Sequence, residues 1–338
     1  MRKKIYIAYT GGTIGMQRVN GNYVPVSNSL QTQMSQIPAF QHPDLPDYVI
    51  HEFDPLLDST NMTPADWSRI ARGICAHYDA YDGFVVLHGT DTMAYTSSAL
   101  AFMLEGLAKP VIVTGSQIPL CELRNDAQEN LITALIIAAN YHIPEVCLYF
   151  GGWLLRGCRA VKVDAAGFTA FASPNFPPLA TVGINIDVDE SQVRRASITR
   201  RDVTVQEICE PVVGAFRLFP GVSAQILANV LQPPLKGLVL ETYGAGNGPT
   251  HDPKFLQVLA AATAQGIVIV NCTQCLRGMV DLGKYATGVA MARAGVISGY
   301  DMTAEAALTK LAFLLSKDLP VDEVKAQMQQ NLRGELTQ

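Results

Sequence analysis

The stretch KIYIAYTGGTIG, residues 4–15, decides the fold class of this chain. Its first part, 4–9, is a short apolar run that predicts a buried β-strand. Gly11 and Gly12 then end the strand, because glycine adopts turn conformations that side chains disfavour and lets main-chain N–H groups approach a ligand closely. The sequence therefore opens with a strand that leads into a glycine turn.

The rest of the first half alternates short apolar strands with helical patterns. One helix is predicted to begin at Pro64, behind an N-cap at Thr63. Its apolar stripe, at helical spacing, is Trp67, Ile70, Ala71, Ile74 and Tyr78. Further elements are expected as strands at 83–87, 110–113 and 146–150, and as helices at about 93–107 and 130–140. This alternation predicts right-handed crossovers and a mostly parallel sheet.

The whole chain is predicted to fold as two α/β domains. Residues 1–188 form the larger N-terminal domain, with a mostly parallel sheet flanked by helices, and residues 211–338 form a smaller, parallel C-terminal domain. A linker at 189–210 is predicted because charged residues, including Arg194-Arg195 and Arg200-Arg201, interrupt the apolar pattern. The C-terminal elements are expected as strands at 213–219, 237–240 and 267–270, and as helices at 223–231, 253–265 and 303–316, the last of them N-capped by Thr303.

Composition excludes several classes of protein. Hydrophobic residues make up 49% and charged residues 16% of the sequence, which is typical of a packed globular protein. The net charge of −5 offers no attraction for phosphate backbones, so nucleic acid is not an expected partner. No apolar run reaches the roughly 18 residues of a membrane span, so no membrane association is expected. The apolar run at 5–8 is too short for a signal peptide and the seven cysteines fit reduced thiols, so a cytoplasmic location is predicted.

Hydroxyl side chains beside glycines follow three of the predicted strands. They lie in the segments 10–15, 88–92 and 114–116. Because ligands bind beyond the carboxyl ends of parallel strands, these loops are the first candidates for a functional site. The G-G-x-x-G spacing of the first loop leaves nucleotide binding as a weaker alternative, since neither G-x-G-x-x-G nor a P-loop ending is present. His88 is interpreted as a packed structural residue rather than as a general base.

Three further features have ordinary alternatives. Asp58-Ser59 lies in an irregular stretch, where turn chemistry would account for it. Lys162 is either a surface lysine or a partly buried one, whose lowered pKa would let it act as a base. The lone C-x-x-C at Cys272–Cys275 lacks the second ligand pair that a zinc site needs, so core packing is expected, with no metal and no cofactor.

Taken together, these motifs resemble those of the bacterial asparaginase/glutaminase family, most closely the type I, cytoplasmic asparaginases. The matching segments keep the family's order and spacing over nearly the whole chain. They are TGGTIG at 10–15, Asp58-Ser59, HGTDT at 88–92, VTGSQ at 113–117 and YGAGN at 243–247. The resemblance implies hydrolysis of the side-chain amide of L-asparagine to L-aspartate and ammonia through an acyl-threonine intermediate. It also implies a homodimer, or a homotetramer built from dimers.

The resemblance further implies a role for each matching residue. Thr13 is the expected nucleophile, assisted by the hydroxyl of Tyr23. Thr90, Asp91 and Lys162 form an expected second constellation, with proton transfer either to a neutral lysine or through the Thr90 hydroxyl. The expected substrate contacts are Asp58, Ser59, Thr90 and Asp91 at the α-amino and α-carboxylate groups, Ser116 near the amide, and Asn247 from a neighbouring subunit.

Some features are not fixed by the resemblance. Main-chain N–H groups beside Gly89 or Gly115 are both candidate oxyanion donors. The family's Thr–Tyr pair has an acidic third partner, which the sequence alone does not identify. A regulatory asparagine site found in some type I enzymes would need a hydroxyl at Val161 and an arginine at Glu241, so no such site is predicted. A broader glutaminase-asparaginase and a non-catalytic amino-acid sensor are the alternative functions.

Overall fold

The computed structural model describes residues 2–196, 202–209 and 212–337. They form two compact units, Met1–Gln206 and Glu207–Gln338. The prediction of two α/β domains, with the larger and mostly parallel sheet in the first, is confirmed.

The first unit is built on one large sheet. The strands of this unit are β1 (Lys4–Gly11), β2 (Met16–Val19), β3 (Asn22–Pro25), β4 (Asp47–Leu57), β5 (Gly83–Leu87), β6 (Leu104–Glu105), β7 (Val111–Thr114), β8 (Val146–Phe150), β9 (Trp153–Arg156), β10 (Val161–Lys162), β11 (Phe171–Ala172), β12 (Ala180–Val182), β13 (Ile186–Val188) and β14 (Thr204–Val205). Eight of them form the sheet, in the order β13-β12-β9-β8-β7-β5-β1-β4. The run from β4 to β8 is parallel, and β9, β12 and β13 extend it in antiparallel fashion.

Helices cover this sheet, and local sequence signals explain their starts. They are α1 (Ser29–Gln36), α2 (Pro64–Ala76), α3 (Met93–Met103) and α4 (Ala127–Asn140). Thr63 and Asp66 form a capping box at the start of α2, as the predicted N-cap requires. Four of the five predicted stripe residues are buried: Trp67, Ile70, Ala71 and Ile74. No helix within the described ranges has the length and apolar character needed to cross a bilayer.

Helix α3 ends earlier than the sequence suggests. The predicted end near Leu107 is wrong, because the helix stops at Met103 and the next two residues form β6. Strand β6 pairs antiparallel with β14, which lies far along the chain. This pairing gives the main chain after Met103 new hydrogen-bond partners, so the helix does not need to continue.

The core of the first unit lies between the large sheet and its helices. Every residue of β5, β7 and β8 is buried, as expected for central parallel strands. One apolar cluster joins strand and helix residues, among them Ile5, Ile7, Val85, Leu87, Leu131 and Leu135. The carboxyl ends of the central strands are therefore held by a rigid scaffold.

Part of the segment predicted as a linker is attached to the first unit. The Arg156 guanidinium donates to the Gln192 carbonyl at 2.7 Å and to the buried carboxylate of Glu145 at 2.6 Å. That carboxylate also accepts the Arg194 main-chain N–H at 2.9 Å. The second arginine pair, at 200–201, lies outside the described residues. The linker boundaries at 189 and 210 stay a prediction.

The second unit has a parallel sheet of four strands, in the order β15-β16-β17-β18. These are β15 (Val213–Arg217), β16 (Gly237–Thr242), β17 (Val268–Thr273) and β18 (Ile297–Ser298). Its helices are α5 (Ala224–Val230), α6 (Pro253–Ala264), α7 (Ala286–Arg293), α8 (Ala304–Leu315) and α9 (Val321–Met328). The predicted N-cap of α8 is confirmed, because the Thr303 side chain accepts the Ala306 N–H. Helix α8 is not the last element, however, and α7, α9 and β18 were not predicted.

A buried ion pair attaches the residues after α9 to α8. Lys310 and Glu335 are both fully buried, and their charged atoms lie 2.5 Å apart. The Lys310 ammonium also donates to the carbonyls of Met328 and Gln330, at 3.0 and 2.5 Å. The Glu335 carboxylate in turn accepts main-chain N–H groups at 332 and 333. Each charge thus has several partners, which a buried ion pair needs to offset its loss of hydration.

Candidate active site

Three neighbouring strands carry the hydroxyl-bearing loops to one edge of the large sheet. Strands β7, β5 and β1 are adjacent and parallel, so their carboxyl ends meet at that edge. Thr13 follows β1, Thr90 follows β5 and Ser116 follows β7. The topology therefore brings these three predicted site residues to the same end of the sheet.

Glycine lets the first two loops touch through their main chains. A Cβ atom built on Gly12 would lie 2.4 Å from the Gly89 nitrogen, so no side chain fits there. Gly12 also has a φ of +85°, which L side chains rarely adopt. A Cβ on Gly89 would lie 2.5 Å from the Ser59 Oγ. The turn of Thr13, the loop of Thr90 and the segment of Ser59 therefore converge.

Lys162 joins the loop of Thr90 from β10. Its Nζ donates to the Thr90 Oγ1 at 2.9 Å and to the Asp91 Oδ1 at 2.7 Å. The Thr90 hydroxyl in turn donates to the Gln117 Oε1 at 3.1 Å, while the Gln117 Nε2 donates to the Gly167 carbonyl at 3.2 Å. The predicted trio is thus connected, and Gln117, which lies in the matching segment 113–117 but was given no role there, is a further member.

Asp58 and Ser59 begin a short helical turn beside this trio. The Asp58 Oδ1 accepts both the N–H and the hydroxyl of Thr60, at 3.0 and 2.9 Å, so the expected turn chemistry is present. Among the described residues, no hydrogen bond engages the other oxygen of this exposed carboxylate. Ser59 is buried, and its carbonyl accepts the Thr92 hydroxyl at 2.7 Å. The pair is therefore fixed against the loop that carries Thr90.

Tyr23 meets a carboxylate that the sequence analysis missed. The residue lies on β3 with 40% of its surface exposed, and its Oη donates to the Glu122 Oε1 at 2.8 Å. This hydrogen bond raises the pKa of the Tyr23 phenol. Glu122 follows the segment TGSQ at 114–117, which belongs to the family resemblance, by only a few residues, but it carries no motif of its own. Its place in the loop after β7 was the one available signal.

Ser116 lies in a loop whose main chain is hydrogen-bonded to side chains at the start of α4. Its hydroxyl donates to the Ile118 carbonyl at 2.7 Å, so the side chain is engaged within the loop. The buried Asp126 carboxylate accepts the main-chain N–H groups of Gln117 and Ile118, at 2.9 and 3.0 Å. The Asn130 Nδ2 donates to the carbonyl at 115 at 3.0 Å. The orientation of this strand end is therefore set by side chains at the start of α4.

His88 is a packed residue, as interpreted from the sequence. It is fully buried, with Nδ1 at 2.6 Å from the Gly89 carbonyl and Nε2 at 2.9 Å from the Thr96 hydroxyl. Since a carbonyl only accepts, Nδ1 carries the proton and Nε2 accepts from Thr96. Thr96 also accepts the Trp67 indole N–H at 2.9 Å. Burial lowers the pKa of His88 to about 4, so the imidazole is neutral near pH 7.

Two sequence features lie in the second unit. Asn247 closes the turn at 243–247, and its Oδ1 accepts the Thr287 hydroxyl at 2.6 Å. Cys272 is buried in β17, but Cys275 is exposed, so the expected core packing is correct for the first cysteine and wrong for the second. The described ranges contain no group of three or more histidine, cysteine or carboxylate side chains arranged to hold a metal ion.

Comparison with known proteins gives matches over both units. Residues 4–194 match the family model of the asparaginase N-terminal domain, and residues 212–328 match that of the glutaminase/asparaginase C-terminal domain. L-asparaginase 1 of Escherichia coli K12 is 55% identical, covering 99% of this chain and 98% of that protein. The 60 kDa lysophospholipase of Mus musculus is 47% identical, covering 99% of this chain and 63% of that protein. The crystal structure of L-asparaginase I from Vibrio cholerae O1 superposes with a TM-score of 0.93 at 52% identity, covering 100% of both chains.

Proposed function

The chain belongs to the asparaginase family, and on this premise we propose that it hydrolyses the side-chain amide of L-asparagine to L-aspartate and ammonia through an ester on Thr13. The observation that carries the proposal is the main-chain contact between Gly12 and Gly89. It supports a single reaction space shared by the turn of Thr13 and the loop of Thr90.

The proposed reaction has two steps. An amide carbonyl is a poor electrophile, so covalent catalysis divides its hydrolysis into acylation and deacylation. In the first step the Thr13 oxygen bonds to the amide carbon, the C–N bond breaks, and the leaving nitrogen takes a proton to depart as ammonia. In the second step water cleaves the ester and restores the Thr13 hydroxyl. The developing oxyanion would be stabilised by main-chain N–H groups beside Gly89 or Gly115.

The polar residues around Thr13 suit these steps. The Tyr23 hydroxyl, which donates to Glu122, can accept the Thr13 proton as its own proton passes to the Glu122 carboxylate. In the arrangement described, Lys162 donates hydrogen bonds to both Thr90 and Asp91, which favours proton relay through Thr90 over a neutral lysine base. We assign Glu122 as the acidic partner of Tyr23 that the family resemblance called for.

Substrate binding is proposed at two carboxylates. Asp91 uses Oδ1 for Lys162 and Asp58 uses Oδ1 for Thr60, and each is exposed at the edge of the converging loops. A substrate ammonium group would pair with these carboxylates, and Ser59 would contact the α-carboxylate. Ser116 near the amide, Asn247 from a neighbouring subunit, a homodimer or homotetramer, and a cytoplasmic location stay predictions from the family resemblance.

Ammonia release tests the proposed function directly. We expect kcat/KM for asparagine to exceed that for glutamine by about 10- to 200-fold, the range that one methylene group commonly gives. A coupled ammonia assay with both amides measures this ratio. Similar values would favour the broader glutaminase-asparaginase, and tight binding of asparagine without ammonia release would favour the sensor.

The proposed enzyme is expected to lack activation by asparagine. Glu241, where a regulatory site would need an arginine, accepts a hydrogen bond from the Arg217 guanidinium at 3.3 Å, and Val161 offers no hydroxyl. A substrate carboxylate would be repelled at Glu241. The rate is therefore expected to rise hyperbolically with asparagine concentration. A sigmoidal curve that becomes hyperbolic in Glu241→Ala or Val161→Ala would contradict this prediction.

A further inference from the structure

A groove in the first unit lies beside the constellation of Thr90, Asp91 and Lys162. It is lined by residues 117–118, 124 and 165–168, and we call it the side groove. Its volume is about 270 Å³, close to the lower end of small-molecule pockets at about 300 Å³. The side groove therefore suits a group of the size of one amino acid.

Gln117 connects the side groove with the proposed reaction space. Its Oε1 accepts the Thr90 hydroxyl at 3.1 Å, and its Nε2 donates at 3.2 Å to the carbonyl of Gly167, which also lines the groove. In the proposed reaction Thr90 relays the proton that the leaving nitrogen takes up, so this nitrogen departs next to Thr90. A substituent on the nitrogen would therefore extend toward Gln117 and into the side groove.

The side groove carries a positive charge on Arg124. The guanidinium lies over the Phe168 ring, 5.2 Å from the ring centroid, and an aromatic face attracts a cation at this distance. Neither an ion pair nor a hydrogen bond joins this guanidinium to another group in the part of the chain that the structure describes. Its N–H donors are thus available to a ligand.

The carboxylates closest in sequence to the lining residues are engaged elsewhere. Glu122 accepts the Tyr23 hydroxyl at 2.8 Å. The Asp164 carboxylate accepts the main-chain N–H groups at 166 and 167, at 2.8 and 3.0 Å, and these bonds lower the pKa of Asp164 and fix this wall of the groove. Because neither carboxylate pairs with Arg124, the side groove favours an anionic group.

We propose that the chain also hydrolyses β-aspartyl peptides, and that Arg124 binds the carboxylate of their second amino acid in the side groove. In these peptides the nitrogen of the aspartate side-chain amide is the amino group of that second amino acid. The planar guanidinium matches a carboxylate with two parallel hydrogen bonds. The leaving amino acid is thereby held where the side groove meets Gln117.

The bond changes are those of the proposed asparagine reaction. The Thr13 oxygen bonds to the amide carbon, the C–N bond breaks, and the second amino acid leaves after its nitrogen takes a proton. Water then cleaves the ester, which releases L-aspartate and restores the Thr13 hydroxyl. The inference therefore rests on the proposed function, since both reactions need the ester on Thr13.

Two substrates that differ only in the carboxylate test the inference. β-Aspartylglycine ends in the carboxylate that Arg124 would bind, whereas β-aspartylglycinamide has a neutral amide in its place. Arg124→Met removes the guanidinium and should lower kcat/KM for β-aspartylglycine by at least about 10-fold, the scale of one hydrogen bond to a charged group. For the glycinamide and for asparagine, kcat/KM should stay within about 2-fold of the wild-type value, because neither leaving group has a carboxylate.

Arg69→Met is the matched control for this substitution. The Arg69 guanidinium also lies over a phenylalanine ring, 4.3 Å from the centroid of Phe53, but it belongs to α2 and is not part of the side groove. All three substrates should therefore keep their wild-type rates in this variant. Formation of L-aspartate, which all three reactions release, is the measurement.

The outcomes separate this inference from the proposed function. Equal effects of Arg124→Met on β-aspartylglycine and its glycinamide would overturn the inference. Hydrolysis of asparagine without hydrolysis of β-aspartylglycine by the wild-type chain would overturn it too, while the proposed function stands. Cleavage of β-aspartylglycine that depends on Arg124, without ammonia release from asparagine, would refute the proposed function and keep the side groove. Cleavage of neither substrate would refute both.

Discussion

Replacement of Thr13 by alanine is expected to lower kcat for asparagine by at least about 10³-fold, as removal of a nucleophile does in other hydrolases. Alanine has no Oγ, so no ester can form, while the main-chain contact between Gly12 and Gly89 is unaffected. The carboxylates of Asp58 and Asp91, which we propose bind the substrate ammonium group, remain in place. Binding of L-aspartate, measured by calorimetry, should therefore be retained when ammonia release is lost.

Two further variants make this experiment decisive. Thr181→Ala removes an exposed threonine of β12 and is the matched control, with unchanged kcat. Thr90→Val keeps the shape of the side chain but removes its hydroxyl. An undiminished rate in Thr13→Ala, together with a lost rate in Thr90→Val, would transfer the nucleophile role to Thr90.

Replacement of Lys310 by methionine is expected to lower the free energy of unfolding by about 3–5 kcal/mol, the usual cost of removing one partner of a buried ion pair. Methionine approximates the volume of the lysine stem, so packing between α8 and the residues after α9 changes little. The loss arises because the Glu335 carboxylate stays buried without its counter-ion. Urea unfolding of both proteins at pH 7 measures the difference, and a change below about 1 kcal/mol would contradict the prediction.

The same ion pair has a pH signature. Burial acts to raise the pKa of Glu335, but the Lys310 ammonium and two main-chain N–H groups outweigh it and lower the pKa below its ordinary value. The stabilisation is therefore complete above the unfolded pKa of about 4.3 and is lost as pH falls through the folded value. Glu335→Gln should remove this part of the acid destabilisation, and identical acid slopes in both proteins would contradict the assignment.

Some elements were predictable because their signals are local. Strand β5 has the predicted bounds, since a continuous apolar run between turn residues fits a buried strand. Helix α2 begins where Thr63 and Pro64 indicated. The meeting of the loops of Thr13 and Thr90 also followed from the sequence, because a parallel sheet collects the carboxyl ends of neighbouring strands.

Other features depend on partners that are distant in sequence. The end of α3 at Met103 is set by pairing of the next residues with β14, which no local pattern records. Helix α9 buries only Val324 and Met328, so its apolar stripe is too thin to predict. Glu122 gains its significance from Tyr23 on a separate hairpin, and neither residue marks the other in the sequence.

The close approach of positions 12 and 89 has a consequence for engineering. A side chain at position 12 would clash with the main chain at 88–89 and push the proposed nucleophile, Thr13, away from the loop of Thr90, whereas a side chain at position 89 would first meet the Ser59 side chain. Substitutions that change the preference between asparagine and glutamine are therefore expected at residues that surround this contact, such as Asp58 or Gln117. The spacing between the two loops is thus set by their main chains, and selectivity between amides is the property that substitutions around them can change.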